Sequence, residues 1–224
     1  MQSTLDHNVA QVCDLVENCA KDTARVIIGI AGPPASGKST LAEAVVQKLN
    51  HDIAAADDAA VAAVPARAAL LPMDGYHLDN RVLAPRGLLN RKGAPETFDA
   101  EGFSKAVHKL ANPSHEGYYP IFDRDLDLAI ANAIAISAEI PVVVVEGNYL
   151  LLRSEPWQSM RNAFTATVFV CPSMATLKDR LYQRWIAHGL EPEAAMARAT
   201  QNDLPNAETV IQQSYQADLD LTQT

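Results

Sequence analysis

Residues 26–41 read VIIGIAGPPASGKSTL, and the predicted fold follows from this stretch. Its first five residues are rich in β-branched side chains, which is typical of a parallel strand buried on both faces. Residues 32–39 then match the pattern G-x-x-x-x-G-K-[ST] without a mismatch. Apolar side chains follow at helical spacing at Leu41, Val45 and Leu49. The order of strand, glycine-rich loop and helix predicts a phosphate-binding loop.

The chemistry of phosphate binding explains the composition of this loop. Backbone N–H groups and the positive end of the following helix bind phosphate oxygens, and Gly32 and Gly37 allow close approaches that a Cβ would prevent. We expect Lys38 to contact the β- and γ-phosphates and Ser39 to help bind Mg²⁺. A glycine turn with a chance lysine is the alternative, but motif and context agree on a nucleoside triphosphate. The residues predicted to surround the phosphates are Gly32, Pro33, Pro34, Ala35, Ser36, Gly37, Lys38, Ser39 and Thr40.

The size and charge of the chain limit the classes of function. Its 224 residues are enough for one well-buried α/β domain, and no break in composition divides residues 1–224. The net charge of −9 argues against a nucleic-acid surface, and the three cysteines lack metal-ligand spacing. No secretory signal pattern and no apolar run of about 20 residues occur, so we expect a cytoplasmic protein without a membrane partner. The oligomeric state is left open, a homodimer included.

A second predicted strand, residues 68–73, ends in the tetrapeptide Asp74-Gly75-Tyr76-His77. In parallel α/β sheets, ligands bind beyond the carboxyl ends of the strands, so Asp74 and His77 fit an acceptor site. The alternative is that Asp74 caps a helix beginning near His77; the phosphate loop on the first strand favours the acceptor site. Residues 5–20 predict an amphipathic helix that serves as scaffold, and the alanine-rich residues 51–66 are left undecided.

The middle of the chain predicts a long basic loop and two further elements. Residues 81–99 carry Arg81, Arg86, Arg91 and Lys92 in an otherwise acidic chain. Long ordered loops are often functional, although a solvated charged face is the alternative. Asp99 predicts the N-cap of a helix that ends near residue 112. Residues 118–124 then predict a strand, and the following LAIANAIAIS predicts a weak hairpin.

The second half of the chain predicts a central strand and a helical lid. Four consecutive valines at 142–145 mark a buried parallel strand, and Glu146 at its end fits the acid of a Mg²⁺ site rather than a plain loop residue. A helix capped by Ser173 brings Arg180 and Arg184 onto one stripe, which suits a lid over phosphates at about residues 173–203; solvated surface is the alternative. A second helix is predicted over 192–202 with a turn at 203–206. Residues 217–221 predict an edge strand.

Seven stretches between residues 26 and 210 resemble a known family. They are GPPASGKST, PMDGYHLDN, NRKGAPETFD, YPIFDR, VVVVEGNYLLL, RLYQRWIAHG and NDLPNA. They are similar to the phosphate-loop kinases grouped with pantothenate kinase, uridine kinase and phosphoribulokinase. They are most similar to bacterial relatives described as fructose-transport-system or nucleoside/nucleotide kinases. The phosphate loop is widely shared, whereas MDGYH followed by RKGAPETFD is far more specific. The resemblance implies a Rossmann-like three-layer α/β/α domain with a central, mainly parallel sheet, and ATP- and Mg²⁺-dependent phosphorylation of a small-molecule hydroxyl.

The resemblance also implies roles for individual residues. Asp74 would be the catalytic base, Glu146 the acid near Mg²⁺, and Lys38 and Arg184 would act on the transferred phosphate, with Arg180 beside the nucleotide. The residues that the resemblance places at the acceptor are Asp74, Tyr76, His77, Arg91, Asp123, Arg124 and Asn206. Relatives tend to carry a basic residue where this chain has QQSYQ at 212–216, which leaves an adenine contact from this segment open.

A sugar such as fructose is the expected acceptor, and a nucleoside such as uridine or pantothenate are the alternatives. A regulatory NTPase without an acceptor is a different class. A GTPase would ordinarily carry N-K-x-D and a transporter ATPase an L-S-G-G loop, and neither tetrapeptide occurs. An inactive nucleotide-binding module would have lost Asp74 or Glu146, and both are present.

Overall fold

The computed structural model describes residues 2–56 and 66–222. Its centre is a five-stranded sheet with the strand order β2-β5-β1-β6-β7, in which every neighbouring pair is parallel. The strands are β1 (Val26–Ala31), β2 (Ala68–Pro72), β3 (Gly117–Asp123), β4 (Leu128–Ile136), β5 (Val142–Gly147), β6 (Ala166–Cys171) and β7 (Leu219–Thr222). Strands β3 and β4 form a separate antiparallel pair.

Helices cover both faces of the central sheet. They are α1 (Gln2–Cys19), α2 (Lys38–Ala56), α3 (Asn80–Leu83), α4 (Ala100–Leu110), α5 (Met174–Ala187), α6 (Pro192–Arg198) and α7 (Leu204–Gln213). Every residue of β1 and β5 is buried. Because strand side chains alternate, Ile28 packs with Val12 and Leu41 on one face, whereas Ile27 packs with Phe103 on the other. The predicted three-layer α/β/α fold with a mainly parallel sheet is confirmed.

Local signals placed several elements correctly. The Asp99 side chain accepts a hydrogen bond from the Gly102 N–H at 2.9 Å, and Ser173 accepts one from the Thr176 N–H at 3.2 Å, so both predicted N-caps are present. The predicted last strand exists as β7 and lies parallel to β6 at the edge of the sheet. The predicted N-terminal helix packs on the sheet through buried valines.

Two predictions about the second half of the chain are wrong. Residues 128–136 form one strand that pairs with β3, and the hairpin is therefore β3–β4 and not internal to LAIANAIAIS. The turn expected at 203–206 does not form either. A π-helical segment at Ala199–Asp203 joins α6 to α7, and Pro205 lies in the first turn of α7, where a missing N–H costs no helical hydrogen bond.

The undecided alanine-rich stretch begins as the end of α2, which extends to Ala56. Residues 57–65 lie outside the described part of the chain. Within residues 2–56 and 66–222, no helix is both long and apolar enough to cross a membrane.

The topology brings three functional segments to one edge. The parallel strands β1, β2 and β5 are neighbours, so their carboxyl ends meet there. The phosphate loop follows β1, Asp74 follows β2, and Glu146 lies at the end of β5. This edge is where ligands bind in open α/β sheets.

Candidate active site

The loop after β1 has the shape that its glycines predict. A Cβ added to Gly32 would lie 2.3 Å from the carbonyl oxygen of Val170, so only glycine lets this loop approach β6. Gly37 has a φ of +97°, a left-handed conformation that other residues rarely adopt. The Ser36 hydroxyl accepts a hydrogen bond from the Lys38 N–H at 3.4 Å. The backbone therefore has the conformation that the loop motif predicts.

Three side chains lie close together beside the phosphate loop: Lys38, Ser39 and Glu146. The Ser39 hydroxyl donates a hydrogen bond to Glu146 Oε2 at 3.0 Å. Burial lowers the pKa of Lys38, and the charge of Glu146 opposes that change. Burial also raises the pKa of Glu146, again opposed by Lys38. Each of these charges is thus stabilised mainly by the other.

The Ser39 and Glu146 oxygens fit Mg²⁺ chemically. Mg²⁺ prefers hard oxygen ligands and keeps several of them from phosphates and water, so one hydroxyl and one carboxylate are a suitable protein contribution. Among residues 2–56 and 66–222, no group of three or more His, Cys, Asp or Glu side chains could hold a metal ion. A metal bound here would therefore need the phosphate oxygens of a nucleotide as further ligands.

Asp74 lies in a short 3₁₀ helix, Met73–Tyr76, directly after β2. Its Oδ2 accepts a hydrogen bond from the Arg124 guanidinium at 2.6 Å. Burial raises the pKa of Asp74, but the nearby basic groups of His77, Arg124 and Lys38 outweigh burial and hold the pKa below its ordinary value. The carboxylate is ionised and aimed at the cavity. It caps no helix; the cap of α3 is Asp79, which accepts from the Arg81 N–H at 2.8 Å.

His77 is fixed beside Asp74 by its ring contacts. The ring packs between Phe98 and Phe122, with centroids 4.1 Å and 4.5 Å away. Its Nδ1 lies 2.8 Å from the backbone carbonyl oxygen of Asp74. Burial lowers the pKa of His77, and the nearby Asp74 carboxylate opposes that change. His77 therefore forms a rigid wall next to the Asp74 carboxylate.

Two arginines of α5 reach the same region. Arg180 donates to the carbonyl oxygens of Ala35 and Ser36 at 3.3 Å and 3.1 Å, which fixes this arginine against the phosphate loop. Arg184 lies one turn further along the helix and lines the cavity. Burial and the nearby charge of Arg124 lower the pKa of Arg184. The helix thus brings one cation to the phosphate loop and a second to the cavity.

One cavity of about 1080 Å³ is lined by most of these groups, namely Lys38, Ser39, Asp74, His77, Arg180 and Arg184. Its basic lining residues are Lys38, Lys92, Arg124, Arg180, Arg184 and Arg198. Its acidic lining residues are Asp74, Asp127 and Asp203. The space continues from residues 34–40 of the phosphate loop to Asp74 and His77, so a nucleotide and a second small molecule can share it.

Four predicted acceptor residues do not line this cavity. Arg91 donates to Glu96 at 3.3 Å and to Asn202 at 3.2 Å. Asp123 accepts from two backbone N–H groups in the β3–β4 turn. Tyr76 packs on Phe103, and Asn206 is 2% exposed within the core. Their predicted contact with an acceptor remains a prediction.

The structure adds residues that sequence reasoning missed. The new lining residues include Asn80, Lys92, Phe122, Asp127, Arg198 and Asp203, together with Thr4, Leu5 and Asn8 of α1. A signal existed for Lys92, which lies next to Arg91 in the basic loop, and for Asn80, which ends the stretch PMDGYHLDN. No signal marked α1, which was expected to serve as scaffold alone.

Known proteins are similar to this chain in sequence and in fold. No protein-family model matches the chain. The uncharacterized protein YggC of Escherichia coli is 33% identical over 195 residues, covering 87% of this chain and 76% of that protein. The putative uridine kinase C227.14 of Schizosaccharomyces pombe is 28% identical over 210 residues, covering 91% of this chain and 85% of that protein. A crystal structure from Silicibacter sp. TM1040, named a putative fructose transport system kinase, is 40% identical with a TM-score of 0.82, over 95% of this chain and 98% of that one.

Proposed function

The chain belongs to the P-loop kinases of the uridine kinase, pantothenate kinase and phosphoribulokinase type, and from this premise we propose that it transfers the γ-phosphate of ATP to a hydroxyl group of a sugar, with fructose as the first acceptor to test. That it is a phosphotransferase with a hydroxyl acceptor follows from its family. The observation that carries the proposal is the convergence of Lys38, Asp74 and the Ser39–Glu146 pair at one edge of the sheet.

Each of these residues has a role in the proposed reaction. Ser39 and Glu146 would hold Mg²⁺, and the metal would supply positive charge that stabilises the phosphates during transfer. Lys38 stabilises the same phosphates from the phosphate loop. Phosphoryl transfer demands little covalent chemistry of the protein, so positioning and electrostatics account for most of the rate.

Asp74 is the proposed base for the acceptor hydroxyl. Its pKa is held below the ordinary value, so the carboxylate accepts a hydrogen bond from the hydroxyl. It takes the hydroxyl proton as the bond from the acceptor oxygen to the γ-phosphorus forms and the bond from that phosphorus to the leaving ADP oxygen breaks. The Arg124 guanidinium occupies Asp74 Oδ2 in this structure. Because half of the Arg124 side chain is exposed, it can shift as the acceptor approaches.

Two acceptor classes compete with a sugar. A nucleoside is favoured by the similarity to a protein named a putative uridine kinase, which extends over 91% of this chain. Pantothenate is favoured by the similarity to a pantothenate kinase of Enterococcus faecalis, which is 26% identical over 71% of this chain. The sugar is preferred because the protein named a putative fructose transport system kinase is 40% identical over nearly the whole chain.

ADP release measured with and without acceptors tests the proposal. The panel contains fructose, other hexoses, uridine, other nucleosides, pantothenate and a sample without acceptor, and mass spectrometry identifies the phosphorylated product. We expect ADP release to depend on a sugar. Equal rates with and without every acceptor would instead show an NTPase, and Lys38→Ala protein prepared in parallel excludes a contaminating kinase.

A further inference from the structure

We propose that Asn80, Lys92 and Asp127 form the acceptor-recognition cluster of this cavity, and that the cluster selects an uncharged acceptor with several hydroxyl groups. The inference rests on the proposed kinase function and adds the chemical class of its acceptor. All three residues line the cavity that also contains Asp74. They come from different segments: Asn80 begins α3, Lys92 lies in the basic loop, and Asp127 lies in the β3–β4 turn.

The three side chains hold one another in place. Asn80 Nδ2 donates to Asp127 Oδ2 at 2.8 Å. Lys92 Nζ donates to Asn80 Oδ1 at 2.9 Å and to the Asp127 carbonyl oxygen at 2.9 Å, and lies 2.8 Å from Asp127 Oδ1. The Lys92 side chain is only 11% exposed. A network joining three segments of the cavity wall is therefore organised before any ligand binds.

The remaining hydrogen-bonding capacity of the cluster favours hydroxyl groups over anions. An ammonium group has three donors, and the three contacts of Lys92 use them all. The Asp127 carboxylate keeps free lone pairs, since a carboxylate offers about four acceptor positions. A hydroxyl can donate to these lone pairs, whereas a carboxylate or phosphate would meet a negative charge and no free ammonium donor.

The charge of the whole cavity supports the same conclusion. Six basic side chains line it against three aspartates, and Glu146 adds a fourth acid at the phosphate loop. The excess of two positive charges matches the roughly two net negative charges that ATP keeps after Mg²⁺ binds. The nucleotide thus balances the total charge of the site, so an anionic acceptor would give the occupied site a net negative charge.

An aromatic surface links the cluster to the reacting end. Lys92 Nζ lies 5.2 Å from the centroid of the Phe122 ring, and that ring packs against His77 at 4.5 Å. Phe122 and His77 both line the cavity, and the Nδ1 of His77 lies within hydrogen-bonding distance of the Asp74 carbonyl oxygen. The C–H face of a polyhydroxylated ring can lie on this surface, with one hydroxyl at Asp74 and others at the cluster.

The variant Asp127→Asn tests this assignment, with Asp125→Asn as the matched control in the same turn. Asp125 is exposed and does not line the cavity. We expect Asp127→Asn to raise KM for the best uncharged acceptor of the panel on the order of 10- to 100-fold, the value of a hydrogen bond to a charged group. KM for ATP should not change, because the phosphate loop is untouched. Asp125→Asn should behave as wild type.

A second variant also tests the cluster. Two outcomes would contradict the cluster without contradicting the kinase assignment. Asn80→Ala should raise the same KM, and melting curves of both variants show whether they fold. An unchanged acceptor KM in folded Asp127→Asn would overturn the cluster, as would a wild-type preference for pantothenate over every uncharged acceptor, while kinase activity stands in both cases. Absence of acceptor-dependent ADP release in the wild type would refute the proposed function itself.

Discussion

Asp74 and Asp79 lie five residues apart and have different surroundings. Variants of the two residues therefore distinguish a catalytic role from a capping role. Asp74 faces Arg124 in the cavity, whereas Asp79 caps α3. Asparagine at position 74 keeps the shape of aspartate but cannot accept a proton at neutral pH. Since general-base catalysis is worth roughly 10²–10⁴ in rate, Asp74→Asn should lower kcat by that factor, or about 3–5.5 kcal/mol in the barrier. Steady-state kinetics should show a nearly unchanged KM for ATP.

The control for this prediction is Asp79→Ala. Loss of the cap should lower the melting temperature slightly and leave kcat near its wild-type value. A normal kcat together with a lower melting temperature in Asp74→Asn would end the catalytic assignment of Asp74, since that pair of results belongs to a structural carboxylate.

Lys38 is the basic residue of the phosphate loop. It is buried, and its ammonium is opposite Glu146. Lys38→Ala removes a cation aimed at charge that grows in the transition state, so kcat should fall by about 10²–10³, equivalent to about 3–4 kcal/mol. Lys105→Ala is the control, because Lys105 is an exposed residue of α4 that pairs with Glu101. A loss smaller than about tenfold in Lys38→Ala would show that this loop is not the phosphate site.

At the scale of elements, helix α5 carries two arginines with different partners. Arg180 donates to the carbonyls of the phosphate loop, and Arg184 lines the cavity. Arg180→Ala should therefore raise KM for ATP, and Arg184→Ala should lower kcat, each by roughly 10- to 100-fold. Lys178→Ala, exposed on the same helix, should change neither value. If both arginine variants lowered the melting temperature strongly with normal kinetics, α5 would be a structural element and not a lid.

Sequence predicted the elements whose information is local. The valines of β5, the glycines of the phosphate loop and the caps Asp99 and Ser173 each act within a few residues, and the structure confirms them. The partner of β4 could not be predicted in this way. A strand with one exposed face shows its periodicity in the sequence, but pairing depends on which other strand lies beside it. The π-helical joint before α7 is likewise decided by packing and leaves no clear local pattern.

The site follows the same division. Asp74 and Glu146 were predicted because they lie at or just beyond the carboxyl ends of two parallel strands, and these ends lie at one edge of the sheet. Within the basic loop, Arg91 was expected at the acceptor, yet its neighbour Lys92 lines the cavity. Adjacent residues of an irregular loop point in directions that only the tertiary fold decides. Asp127 was missed for the same reason, because the β3–β4 turn reaches the cavity through long-range packing.

At the scale of the whole molecule, Arg25 stabilises the end of the sheet opposite the candidate active site. This residue directly precedes β1. It is 3% exposed and donates to five backbone carbonyl groups. The acceptors are the carbonyl oxygens of Leu110, Asn112, His115, Ser137 and Ile140, at 2.9–3.4 Å. They belong to the end of α4 and to the connections that lead into β3 and β5. One side chain thus joins the helical layer, the hairpin and the sheet.

Arg25→Ala should destabilise the fold without changing the chemistry. The substitution leaves several carbonyl groups without their donor in a largely buried region, and each buried unsatisfied group costs about 1–3 kcal/mol. Water can reach some of them, so we expect the free energy of unfolding to fall by about 3–5 kcal/mol in denaturant titrations. Because Arg25 lies at the amino end of β1 and the phosphate loop at its carboxyl end, kcat of the folded fraction should match that of the wild type. Lys109→Ala, an exposed change at the end of α4, should alter the free energy of unfolding by less than about 0.5 kcal/mol. If Arg25→Ala kept the wild-type free energy of unfolding but had a reduced kcat, Arg25 would act in the function of the site. That result would contradict its role in stabilising the fold.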